Sequence, residues 1–143
     1  MTWKVGVWSR SGSNSHKIAS YVGERVHIEL ADFFSQPGLA IPEGLVIVSP
    51  NYGDAEVPED IEKFLINRSR EINKWVVLEI GNYGGFDDWS FGARERIGLF
   101  MKKNGLSEEA LPGVGLDTLP RIDWGTLDRW CDTVLKPGVD HVQ

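Results

Sequence analysis

The chain has 143 residues, a length suited to one compact domain around one core. Hydrophobic residues make up 41% and charged residues 25%, a globular composition rather than that of a disordered or membrane protein. The formal net charge of −6 argues against nucleic-acid binding, which needs a basic surface, and suits an acidic face steering toward a basic partner.

Met1-Thr2-Trp3-Lys4-Val5 runs directly into an apolar segment without the h-region or cleavage site of a signal peptide. The longest apolar runs, such as Gly44–Val48 and Trp75–Ile80, are strand-length. A cytoplasmic protein with no membrane segment is therefore expected.

In chain order, Trp3–Ser9 reads as the first strand. A helix follows Ser13 and Asn14, both suitable caps, with Ile18 and Val22 on one face. Val26–Leu30 reads as the second strand, and Asp32–Glu43, with Gln36-Pro37-Gly38 and Pro42, replaces a clear crossover helix with something looser. Leu45–Ser49 is the third strand. The next helix opens on Pro58, Glu59 and Asp60 and repeats Ile61, Phe64 and Leu65. Trp75–Ile80 is the fourth strand, followed by a helix carrying Ala93, Ile97, Phe100 and Met101. Leu111–Leu116 is the fifth, and Leu127, Trp130, Cys131 and Val134 mark the last helix, with a frayed tail after Pro137.

Continuous rather than alternating apolar strands are those of a parallel sheet covered on both faces. Strand-helix alternation throughout implies an α/β fold, a three-layer sandwich formed as one domain over residues 1–143. In such a sheet ligands bind beyond the carboxyl ends of the strands where the winding reverses, so the loops after strands one, three and four are the ones to read.

The first loop is Ser9-Arg10-Ser11-Gly12-Ser13-Asn14-Ser15. Its hydroxyls, its amide and the following helix N-terminus suit a terminal monophosphate. It has neither the Gly-Lys of a triphosphate loop nor three dinucleotide-type glycines. The second loop, Ser49 to Pro58 with Pro50-Asn51-Tyr52-Gly53 at its start, offers an aromatic ring to a flat ligand beside a glycine whose peptide can turn over. The third, from Gly81-Asn82-Tyr83 through Gly85, Phe86, Asp87 and Asp88 to Trp89, combines close backbone approach, an apolar wall and an electronegative rim. Each is also readable as an ordinary loop, and their convergence on one predicted place carries the argument.

With those residues in view, Ser9-x-Ser11-Gly12-x-Asn14-Ser15 resembles the phosphate loop of flavodoxins, its spacing about one residue longer. Ser49-Pro50-Asn51-Tyr52-Gly53 is similar to the family's first flavin-flanking loop, and Gly81 through Ala93 to its second, with Phe86 where the stacking tyrosine usually stands. The short segment around the fifth strand resembles the short-chain type. The resemblance implies a five-stranded parallel sheet in the order 2-1-3-4-5 and one non-covalent FMN. It also implies a monomer passing single electrons from a reductase upstream to an acceptor enzyme downstream through a flavin semiquinone. Tyr52 and Phe86 would flank the ring, with the Asn51–Tyr52–Gly53 backbone turning toward flavin N5. Asp54, Asp87 and Asp88 would disfavour the anionic hydroquinone.

Tyr52-Gly53 with Val57-Pro58 and Phe64-Leu65, and Gly81-Asn82 before an aromatic, also resemble the flavodoxin-like activator of manganese-dependent ribonucleotide reductase. Arg10-Ser11-Gly12-Ser13-Asn14 bears a partial likeness to NAD(P)H-dependent FMN or quinone reductases, which usually have longer chains and complete their pocket as dimers. Other chemistry has little support. His16, His27 and His141 lack metal-like spacing, and the single Cys131 falls among apolar helical positions as an inert buried thiol. Trp3, Trp8, Trp75 and Trp130 read as core.

Overall fold

Five strands pair side by side and all in parallel: β1 (Trp3–Val7), β2 (Glu29–Asp32), β3 (Gly44–Asn51), β4 (Lys74–Gly81) and β5 (Val114–Asp117). Their spatial order is β2-β1-β3-β4-β5, with the winding reversing between β1 and β3. The computed structural model describes residues 2–51, 57–81, 92–106 and 108–140.

Alternate residues of each central strand face opposite layers. Val46 and Val48 of β3 join the core under α1 (Asn14–Val26) and α4 (Trp124–Trp130), while Leu45 and Ile47 join the core under α2 (Glu59–Arg68) and α3 (Gly92–Lys103). Burial on both faces explains the continuous apolar strands. The expected core tryptophans Trp3, Trp8, Trp75 and Trp130 are all buried.

Several boundaries differ from the sequence reading: β1 ends at Val7 rather than Ser9, and β5 starts at Val114 rather than Leu111, the residues before it, Leu111–Gly113, being irregular. Val26 ends α1 rather than starting β2, because Ile18, Val22 and Val26 continue one helical face at four-residue spacing. The helix stops at His27, whose backbone is left-handed at φ 60°, and β2 begins at Glu29. Past α4 the chain widens into a π turn over Cys131–Leu135 just before Pro137, a residue with no N–H to give a regular helix. It then re-forms as α5 (Lys136–Asp140), so the stretch after Pro137 remains helical to Asp140. Gly138 lets α5 lie close to the β5 approach, since a Cβ there would fall 2.5 Å from a Leu111 methyl.

Between β2 and β3 no helix forms, in line with the loose segment expected there. The gap is filled by rings. Trp8 stacks on Phe33 at 5.4 Å and meets Phe64 edge-on at 5.1 Å. Arg68 lies over Phe33 and Phe64 and donates from Nη1 to the carbonyls of Pro37 and Leu39, fastening the linker to α2. A cavity of about 310 Å³ remains beside this cluster.

Candidate functional site

Because the strands are parallel and β1, β3 and β4 are adjacent, the loops that follow them leave the same edge of the sheet. Three groups of sequence-selected residues gather there: Ser9–Ser15 between β1 and α1, Pro50 and Asn51 at the end of β3, and Gly81 at the end of β4. Asn51 and Gly81 stand opposite one another in the ladder, as do Pro50 and Ile80. Tyr52, Gly53, Asn82, Tyr83, Gly85, Phe86 and Asp88 lie outside the described residues, as do Asp54, Asp87 and Trp89.

The first loop shapes itself with short-range bonds. Ser13 caps α1, its Oγ accepting from the His16 N–H at 3.1 Å, and it shares a 2.7 Å hydrogen bond with the Ser9 hydroxyl. The Ser13 N–H donates to the Arg10 carbonyl at 3.2 Å, closing a turn in which Gly12 takes φ +91°. A Cβ at Gly12 would meet no atom within 4 Å, so the glycine is there for its backbone rather than for space. Arg10, Ser11, Gly12 and Asn14 are exposed.

Two features fit this loop to an anionic group. The N–H groups of Asn14 and Ser15 have no acceptor among the described residues, as expected of a helix's first turn. The first turn of α1 carries no acidic side chain, whereas that of α2 holds Glu59, Asp60 and Glu62. No acidic side chain of its own first turn offsets the positive end of the α1 dipole, and with the Ser11 and Asn14 side chains this helix end could offer a neutral donor set to a phosphate.

The end of β3 and the start of α3, which flank the other two loops, are joined by a residue that the sequence reading passed over. Glu79, in β4, is fully buried. Its Oε2 accepts from Asn51 Nδ2 at 2.9 Å and its Oε1 from the Arg94 N–H, in the first turn of α3, at 2.7 Å. The signal was a lone carboxylate inside a continuous apolar strand, two residues before the third loop. A further contact at this edge comes from beyond β5, where the Thr118 N–H donates to the Gly81 carbonyl at 3.0 Å.

Cys131 is buried in the α1/α4 core, and burial pushes its thiol up to about 12. It stays a protonated, unreactive thiol at neutral pH. Among the described residues no cluster of His, Cys, Asp or Glu could hold a metal ion, and no helix is long and apolar enough to cross a membrane.

No family model matches the sequence, and no curated protein matches it either. Solved structures do match. The oxidised flavodoxin 1 of Bacillus cereus superimposes with a TM-score of 0.69 at 16% identity over 100% of both chains. A short-chain flavodoxin associated with a non-canonical PDU bacterial microcompartment gives 0.64 at 17% identity over 96% of this chain and 99% of that one. The flavodoxin of Fusobacterium nucleatum bound to flavin mononucleotide gives 0.57 at 15% identity over 77% of this chain and 70% of that one. The fold is flavodoxin-like.

Proposed function

We propose that this chain holds one FMN, non-covalently, at the β1/β3/β4 edge and carries electrons between proteins. The observation that carries the reading is the α1 N-terminus, with its acid-free first turn, two N–H groups without an acceptor among the described residues and a serine-rich loop closed by Gly12. Its position after β1, where the winding of the sheet reverses between β1 and β3, supports the reading, because open sheets of this kind take ligands at such points.

Ser9, Arg10, Ser11, Gly12, Ser13, Asn14 and Ser15 would hold the phosphate. Pro50, Asn51, Tyr52 and Gly53 on one side, and Gly81, Asn82, Tyr83, Gly85, Phe86 and Asp88 on the other, would enclose the ring. When bound, FMN supplies the redox chemistry, and the protein tunes it through burial, stacking and nearby charge. Gly81, whose carbonyl accepts from the Thr118 N–H, would lie at the root of the loop that covers one face of the ring. The net charge of −6 favours redox partners with a basic docking face.

Titration of the purified chain with FMN, FAD and riboflavin tests the reading. FMN should bind one to one and more tightly than riboflavin, and FAD should not be retained. A chain that leaves FMN fluorescence unchanged, or that prefers FAD, would overturn it.

A further inference from the structure

Glu79 shares its strand face with Trp75 and Val77, where packing alone would call for an apolar side chain. A carboxylate with 0% exposure is costly unless its oxygens are hydrogen-bonded, and here both oxygens accept. The two donors come from different elements. Asn51 is the last residue of β3 and belongs to the second loop, and Arg94 lies in the first turn of α3, the helix that follows the third. Its Oε1 also supplies negative charge to a helix N-terminus, a favourable place for it.

We propose that Glu79 is a positioning residue that ties the start of the second loop to the end of the third, so that the two loops assigned to the ring hold one register. The ligand in this proposal rests on the FMN reading above. The bridge itself is a property of the ligand-free chain.

The test uses the full chain and the variants Glu79→Ala and Glu79→Gln, with amide exchange at Arg94 measured without ligand and affinities measured for FMN and riboflavin. Glu79→Ala should lose protection of the Arg94 N–H and weaken both flavins equally, by about tenfold or more, because the damage is to the ring loops and not to the phosphate loop. Glu79→Gln should retain both properties. Its Oε1 can still accept from Arg94, and the Asn51 amide can turn over to accept from its Nε2. Should Glu79→Ala fail to fold, Glu79→Asp, one methylene too short to reach both partners, must show the same equal loss.

Unchanged Arg94 protection in Glu79→Ala, unchanged affinities despite lost protection, a loss confined to FMN, or a Glu79→Gln variant as impaired as Glu79→Ala would each overturn the proposal. If the wild type binds neither flavin, the FMN reading fails. The exchange at Arg94 then still decides whether Glu79 forms the bridge.

Discussion

The two halves of the candidate site are held by different kinds of bond. In the loop after β1, the part-buried Ser9–Ser13 and Ser13–His16 hydrogen bonds join residues 4 and 3 positions apart. At the roots of the other two loops, one fully buried carboxylate joins Asn51, 28 residues away, to Arg94, 15 residues away. A loop closed by its neighbours keeps its form wherever a strand delivers it. Loops tied through the sheet depend on the fold being complete, so damage there reaches both loops at once.

The first way to break this comparison is to attack the local turn at its most demanding point. Gly12→Val places a β-branched residue at φ +91° and should cost about 1–3 kcal/mol in urea unfolding. Gly38→Ala, at an equally open position without positive φ, should change stability by no more than about 0.5 kcal/mol. Equal costs at the two sites would mean that the turn does not need its glycine.

Ser13→Ala should have the next largest effect, because it removes the α1 cap together with the Ser9 partner. A loss of about 1 kcal/mol is expected, read as a lower melting temperature. Ser11→Ala, whose hydroxyl makes no side-chain bond among the described residues, should melt as the wild type does. A Ser11→Ala variant as unstable as Ser13→Ala would give Ser11 a structural role in place of a binding one.

The smallest effect concerns the turn after β2, another locally closed segment. Asp32 Oδ1 accepts from the Ser35 N–H at 3.0 Å, and this bond, ahead of weaker help from Phe34 and His16, holds its carboxyl below the usual carboxylate range. A carboxyl depressed in the folded state stabilises above its unfolded value of about 4 and loses that contribution as pH falls through the folded value. Asp32→Asn should therefore flatten the decline in melting temperature below pH 4, and an unchanged decline would remove the turn from the acid response.

This division also sets what could be read from the sequence. Local signals were legible: the Ser13 cap, the Pro58 entry to α2, the buried stripe Ile61, Phe64 and Leu65, and the absence of a helix between β2 and β3 all rest on residues close in the chain. Val26 misled because β-branching suggests a strand, while its four-residue spacing from Val22 belongs to the helix. Pro137 suggested an end, yet a π turn and the close fit of Gly138 on Leu111 let the helix resume. For Glu79 the lone carboxylate in an apolar strand was a signal, but its role could not be read for a different reason. Its partners are set by strand pairing and by the seat of α3, which no local spacing encodes.

The central claim is that the loop after β1 grips a phosphate while the other loops hold a ring, and one comparison of affinities tests it most directly. The double variant Ser11→Ala with Asn14→Ala removes phosphate donors without touching Glu79 or the loops it ties. FMN affinity should fall about ten- to a thousandfold, at roughly 1–2 kcal/mol per donor, while riboflavin affinity stays at its wild-type value. Equal losses for FMN and riboflavin, or no loss for either, would contradict the account.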